Sequence, residues 1–452
     1  MAAREHREAM TDPYRLALVI IIAVIVILIL VLFLAAVTRR IRNARKYASL
    51  DEYRALYRRK ITDALQSGTL LSISDDLRSR PSSLPWRAIE EILFDQIARS
   101  DCKKEIGQLF LELGYKGYYE NRLKSRRPLI RAAAVDKIGK MLSEFSTAGL
   151  VEILSREEHP EILAVTARAL SRNGSREGLT GILERLPDLY RRSLVSRKTI
   201  EASLINFSAD AVPLLVAYGS KSDDAKIRAS LLEVLAHLAA TPLSLEFAAA
   251  NLNADDPEVR ARAVKVFARH DASADMVHPE LLLPLLEDPV WFVRLQSARA
   301  LGKLKYEQAV ESLGRRLLDT NWQVRNAAAR ALANIGDASL DVFLNILKYK
   351  DRYAKESICE EAGRTNFTQR LISNLMSRDE TLYAKSREML GIMHSLHLSA
   401  SLHEYLKSGE EDAIKREIAL LMRDTAAPRE SDRGGEGPRS PAAQSDGEGK
   451  KA

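Results

Sequence analysis

The sequence predicts an all-α protein: an α-solenoid of about ten stacked helical hairpins, preceded by one transmembrane helix. Three observations carry that expectation. Leu16–Val37 is an uncharged run of 22 residues. LDTNWQVRNAAARALANIG, residues 318–336, has a counterpart 31 residues upstream in LEDPVWFVRLQSARALGKLK, residues 286–305. Apolar positions also keep step at about that interval from residue 130 to residue 422. A segment that recurs in this way marks units that cannot cover their own apolar faces and must stack.

Residues 1–15 are a short N-terminal tail in which three Arg balance three acids. The apolar run at 16–37 reaches about 33 Å as a helix, enough for a hydrocarbon core of about 30 Å. A signal-peptide core is shorter, about 7–15 residues, and follows a basic segment; a retained span is expected instead. Arg39, Arg40, Arg42, Arg45 and Lys46 follow it directly. The positive-inside rule then puts the N-terminus outside and the bulk of the chain in the cytoplasm, at the inner membrane if the cell is bacterial.

That collar also explains the net charge of +7. Residues 16–60 hold nine Lys and Arg against Asp51 and Glu52, the whole of the excess, so 61–422 balance. The basic pI is therefore local to the membrane segment and does not argue for a nucleic-acid partner. Cys102 and Cys359 are the two cysteines, far apart in sequence, which excludes a disulfide framework.

Residues 38–67 read as a basic juxtamembrane amphipathic helix. Leu50, Tyr53, Tyr57, Ile61 and Leu65 share one face, flanked by Arg54, Arg58, Arg59 and Lys60. Two readings stay open: a helix lying on anionic headgroups, or a stalk whose apolar stripe packs on the first repeat. Residues 68–85 read as a linker, 86–425 as the solenoid, and 426–452 as a disordered tail too poor in apolar residues to bury a core.

Within the solenoid the units align on Ile130, Ile162, Ser196, Ile227, Val259, Val293, Val324, Ala354, Leu382 and Ile414. Eight residues on, every position is apolar; four residues on, every position is small or apolar. Positions 0, 4 and 8 lie on one helical face. A second apolar run in each interval, such as 281–286, 309–318 and 340–347, supplies the other helix of the pair. Trp86–Gly117 fits a terminal cap.

DPEVRARAV from Asp256, EDPVWFVRLQSARALG from Glu287 and DTNWQVRNAAARALANIG from Asp319 resemble HEAT repeats, of the short type also found in phycobilisome lyases. The resemblance is strong over about 255–336 and extends through 125–425, losing the Val-Arg pair at Ser196 and from Ala354 onward. It implies an α-solenoid working as a protein-interaction scaffold, and it carries no catalytic set.

Arg260, Arg294 and Arg325 recur in register, each preceded by an acid: Asp256, Asp288 and Asp319. They could form a row of guanidinium groups for phosphates. Their periodicity favours a structural ladder, in which each acid caps its helix and pairs with an Arg of the same or adjacent unit. Trp291 and Trp322 occupy equivalent positions and are candidate protein-interaction residues, with packing as the competing role. Glu157–Glu158 and Glu410–Glu411 read as solvated turn charges. His394, His397 and His403 form the densest histidine group but lack a completing acid or thiolate. No phosphate-binding glycine loop, nucleophile elbow or metalloprotease motif is present, so no catalytic, cofactor or metal residue is assigned.

The expected function is a membrane-anchored cytoplasmic scaffold for other proteins, not an enzyme. Two alternatives accompany it. One is a lyase-type or chromophore-modifying accessory enzyme, disfavoured by the span and by the lack of a nucleophile. The other is nucleic-acid binding through a local basic groove, disfavoured by the charge balance of 61–422.

Overall fold

The computed structural model describes residues 12–99, 102–141, 147–238, 241–269, 278–349, 351–396, 400–408 and 411–426. Most of the expected N-terminal tail, and the expected C-terminal tail beyond Ala426, lie outside them. The described residues fold as helices and turns, in two compact units, 1–211 and 212–452.

The first unit begins with α1, Asp12–Ser67. The expected span and the juxtamembrane helix are one uninterrupted helix, because no Gly or Pro occurs between Pro13 and Gly68. Gly68 ends it with a φ of +68°, the left-handed conformation that a glycine adopts without strain. From residue 17 to 34 the apolar side chains are exposed, and this helix is long and apolar enough to cross a membrane. Further along, Leu50, Ile61 and Ala64 are buried where α1 packs on α3, Leu84–Arg99. Of the two readings of the amphipathic stripe, the packed stalk matches this geometry. The segment read as a linker is also ordered: a 3-10 turn at Leu70–Ile73 and α2, Ser74–Leu77, bury Leu70 and Leu77.

The expected cap is α3 with α4, Lys103–Glu112; Ile89, Ile92, Leu93, Ile106, Leu109 and Phe110 are all buried. Beyond it come α5 (Tyr115–Leu123), α6 (Pro128–Lys140), α7 (Thr147–Arg156), α8 (Pro160–Asn173), α9 (Arg176–Arg191) and α10 (Arg197–Ile205). The stack runs α6 on α8 and α8 on α10, with α7 and α9 packed together on the other layer.

The second unit repeats the scheme. Its helices are α11 (Val212–Ser220), α12 (Ala225–Leu235), α13 (Pro242–Ala250), α14 (Pro257–Phe267), α15 (Trp291–Lys303), α16 (Val310–Arg316), α17 (Trp322–Ile335), α18 (Leu340–Lys348), α19 (Arg352–Arg364), α20 (Phe367–Asn374), α21 (Glu380–Ser395), α22 (Ala400–Ser408) and α23 (Asp412–Ala426). The second helices of successive pairs stack on one another: α12, α14, α15, α17, α19, and then α21 on α23. Before α15 the apolar run forms two 3-10 turns, Pro279–Leu282 and Pro284–Glu287, in place of the expected helix. Pro284 has no N–H to continue an α-helical ladder, yet Leu282, Leu285 and Leu286 still reach the core.

Nine of the ten alignment anchors are the third residue of their helix, which explains why the register is so regular. Ser196 departs from it. It is the N-cap of α10, its hydroxyl accepting from the Thr199 N–H at 3.3 Å. The true equivalents in that unit are Thr199, Ser203 and Phe207, the last two buried. Both settings leave a small or apolar residue four on and an apolar one eight on, so the three-residue slip does not register in the sequence.

Two close approaches bring neighbouring repeats together. A Cβ on Gly302 of α15 would stand 2.4 Å from the Ala331 Cα of α17, and one on Gly139 of α6 would stand 2.3 Å from the Ala169 Cβ of α8. Both glycines lie nine residues after their anchor, facing an alanine seven after the next. Gly302→Ala should therefore lower the thermal midpoint, at an overpacking cost of about 1–3 kcal/mol. Gly363→Ala, whose Cβ meets nothing within 4 Å, should be neutral or slightly stabilising. Thermal melts of the detergent-solubilised full chain, followed by far-ultraviolet circular dichroism, compare the two directly.

Candidate functional site

The in-register arginines follow directly after the third residue of their helices, and each guanidinium has two working edges. On one edge, Nη1 donates to two carbonyls of the turn leading into its own helix. Arg260 reaches Ala254 O and Asp255 O at 2.8 and 2.9 Å, and Arg294 reaches Asp288 O and Pro289 O at 2.8 and 3.2 Å. On the other edge, Nε and Nη2 hold a carboxylate of the following repeat. Arg260 grips Asp288 at 2.7 and 3.0 Å, and Arg294 grips Asp319 at 2.8 and 2.9 Å. Both acids are buried, and each also accepts a backbone N–H of its own turn, from Val290 and Asn321 respectively. A paired, fully hydrogen-bonded charge is the form in which burial is tolerated.

Asp256 is not a rung of this ladder. It is the N-cap of α14, accepting from the N–H groups of Glu258 and Val259 at 2.7 and 3.3 Å. Conversely, Asp288 and Asp319 do not cap α15 and α17, whose N-cap residues are Val290 and Asn321. The offset separates the two roles: Asp256 stands three residues before its anchor, whereas Asp288 and Asp319 stand five before theirs. Counting at five also finds a rung that the sequence reading missed. Glu157, taken there as a solvated turn charge, lies five before Ile162. It receives the Nε and Nη2 of Arg131 at 3.1 and 3.4 Å.

Arg325 completes only half of the pattern. Its Nη1 donates to Asp319 O and Thr320 O, but five before Ala354 stands Tyr349 in place of an acid. Its shielded Nε has no hydrogen-bond partner among the described residues, and its Cζ lies 5.7 Å from the Tyr353 ring centroid. Arg228, at the other end of the ladder, faces Ala254 by the same count and has an equally unpartnered Nε. Here α17 and α19 are joined instead by Arg330–Glu361 at 2.6 Å and Ser357–Asn326 at 2.7 Å.

Burial pushes the Asp319 carboxyl upward. The Arg294 fork, the Asn321 N–H and the Arg316 charge outweigh this and hold it below the usual carboxylate range. For Glu157, burial is again opposed, by the N–H groups of His159 and Glu158 and by Arg131, with the same net direction. Hydrogen bonding to Asp288 and Asp319 holds Arg260 and Arg294 above their ordinary value.

Trp291 and Trp322 open α15 and α17 as their first residues. Trp291 is 39% exposed with Phe292 edge-on at 5.8 Å, and Trp322 is 60% exposed. Leu318 and Tyr349 in the preceding turns, and Tyr353 as the second residue of α19, are exposed as well. The two tyrosines were missed because they replace other residue types at those positions.

On α1, Arg39, Arg40, Arg42, Arg45 and Lys46 are exposed and make no ion pair among the described residues. The more distant basic residues differ. Arg54 binds Glu91 of α3 at 2.5 and 2.8 Å as well as Asp51, Lys60 lies 3.6 Å from Asp76, and Arg59 lies 3.9 Å from Asp63, while Arg58 is exposed. A cleft of about 660 Å³ in the first unit is lined by Phe94, Lys103, Lys137, Lys140 and Arg172. Three of its cations are already matched: Lys137 to Glu90, and Lys140 and Arg172 to Asp136.

Among the described residues no group of His, Cys, Asp and Glu could hold a metal ion; His397 lies outside them. The His394 and His403 rings are 6.2 Å apart. Burial pushes the Cys359 thiol up to about 11, away from the thiolate form.

A family profile described as HEAT repeats matches residues 245–333 and 279–363. Among solved structures, Kap121p bound to Pho4p is similar at 13% identity. The match covers 76% of this chain and 44% of that one, with a TM-score of 0.47. A Kap121p mutant matches over the same shares with a TM-score of 0.48, also at 13% identity. An engineered protein matches at 19% identity over 47% of this chain and 96% of that one, with a TM-score of 0.27. This chain spans less than half the length of the Kap121p chains in the first two matches. No curated protein matches its sequence.

Removing one partner of a buried, forked ion pair costs about 3 kcal/mol at the low end. Arg294→Ala should accordingly lower the thermal midpoint by several degrees. The rung also has a pH signature. A carboxyl held below its unfolded value contributes stability at neutral pH and loses it as pH falls below about 4. Asp319→Asn should therefore flatten the acid limb of stability against pH, measured by urea denaturation between pH 3 and 7. A wild-type limb retained in that variant would show that the rung does not titrate.

Proposed function

We propose that the protein is a membrane-anchored scaffold, with its HEAT-repeat units in the cytoplasm binding protein partners at the membrane surface. The observation that carries this reading is the first half of α1, a long apolar helix on which none of the described residues packs. An uncovered apolar surface of that size has a large free-energy cost in water and none in lipid. Arg39, Arg40, Arg42, Arg45 and Lys46 lie just beyond it with their charges free, as expected for residues facing an anionic cytoplasmic leaflet.

The distal basic residues have a different place in this reading. Arg54 lies about 25 Å along the helix from Val37, and Lys60 about 35 Å, several Debye lengths from a headgroup layer that ends near the span. Arg54 fixes the stalk to α3 through Glu91. The membrane-facing role is thus assigned to the proximal five, and the stalk role to Arg54.

A helical-repeat stack exposes one helix of each pair and the inter-helix turns along its length, a surface suited to extended partners. Anchoring raises the effective concentration for partners confined to the same bilayer. No nucleic-acid partner and no resident cofactor are invoked.

Three measurements test this. The protein should resist carbonate extraction from membranes, and a reporter fused after Ala452 should be active in the cytoplasm. A reporter active only on the far side would reverse the orientation. Affinity capture from solubilised membranes should recover partners with the full chain that are missing with a version ending at Gln66. Identical partner sets would remove the repeats from the binding function.

A further inference from the structure

The ladder stops at Arg325 with half of its guanidinium unused. In Arg131, Arg260 and Arg294 the Nε–Nη2 edge holds a carboxylate of the next repeat. In Arg325 the same edge has no hydrogen bond among the described residues, although Nη1 is fixed by the equivalent pair of turn carbonyls. The position that supplies the acid elsewhere is occupied by Tyr349. Its backbone (φ −72°, ψ 161°) is extended like that of Asp288 (φ −56°, ψ 139°), so the vacancy comes from the side chain and not from a different turn.

The surroundings are aromatic. Trp322 is 60% exposed, Tyr349 59% and Tyr353 66%, and the Tyr353 ring borders the guanidinium. Nearby acids are committed: Asp319 to Arg294 and Arg316, Asp351 to the N–H of Ala354, and Glu356 to Arg352. Arg228 has the same open edge, but no exposed aromatic stands beside it in register.

We infer that the Arg325 edge of the second unit is a docking surface for an acidic segment of a partner protein. An Asp or Glu side chain of the partner completes the rung, and an adjacent Leu or Phe packs on Trp322 and Tyr353. Swinging the exposed Tyr353 ring aside uncovers Nε, and the incoming carboxylate forms the two-bond pair already present in three rungs. The inference deepens the scaffold reading and rests on it.

The test uses the full chain in detergent micelles and fluorescent dodecapeptides alternating Glu with Leu or Phe. Matched peptides replace Glu with Gln or with phosphoserine, and a single-stranded oligonucleotide serves as a polyanion control. The Glu peptides should bind, and the Gln versions should bind at least tenfold more weakly. Tyr349→Asp supplies the missing rung acid from within. It should weaken Glu-peptide binding at least tenfold while leaving the thermal midpoint unchanged or higher, so unfolding cannot account for the loss. Trp322→Ala should weaken binding severalfold.

No binding of the Glu peptides, equal binding by Tyr349→Asp, or tighter binding of the phosphoserine peptides or the oligonucleotide would each overturn the inference. If membrane capture recovers the same partners with wild type and Tyr349→Asp, the surface assignment falls and the scaffold reading stands. If the Glu peptides bind as described but membrane capture recovers no partner, the scaffold reading falls and the peptide site stands.

Discussion

A guanidinium group has two hydrogen-bonding edges, and in this protein they belong to different repeats. One edge closes the turn before its own helix; the other takes a buried carboxylate from the next turn. A local element and its neighbour are thereby fixed by the same side chain, so the turn cannot loosen without loosening the stack. Lysine could not substitute, because a point charge lacks the planar fork that serves both sides. Along the layer of second helices, glycine-on-alanine contacts at Gly139 and Gly302 bring the backbones close enough for those forks to span the gap.

Much of this was legible in sequence because apolar periodicity and repeat length are properties of the chain alone. The repeat register, the small or apolar positions four and eight residues on, and the terminal cap all follow from a 3.6-residue period. Less legible were features that depend on offset or on a distant partner. Asp256 and Asp288 look alike beside a Val-Arg pair, yet two residues of difference turn a helix cap into a bridge to another repeat. Glu157 looked solvated because its arginine, Arg131, lies 26 residues away. The stripe on α1 could have faced lipid or protein; only the position of α3 distinguishes them. Pro284 explains the 3-10 turns before α15, but a proline so close to the start of a run can also begin a helix.

The irregular positions are informative for the same reason. A repeat protein is under a common packing requirement at every unit, so a residue that leaves the pattern without leaving the fold is free of that requirement. Tyr349 and Tyr353 are of this kind. They keep the backbone of the ladder turn and the helix that follows, but Tyr349 presents an aromatic ring where the preceding two units present a paired carboxylate, and Tyr353 adds a second ring beside the Arg325 guanidinium. The candidate surface is therefore an interruption in a structural series, not an added feature.

The continuity of α1 has a mechanical consequence. With residues 16–37 in lipid, the helix runs from Val37 to Leu50, its first buried contact on the folded body, over about 20 Å. No glycine or proline interrupts that stretch, so it behaves as a ruler and not as a tether. On the anchoring proposed above, the folded part of this unit would stand off the bilayer at a set height, and a membrane-embedded partner would need an extension that rises through that gap. Under that proposal, distance from the lipid would select partners as much as side-chain chemistry does.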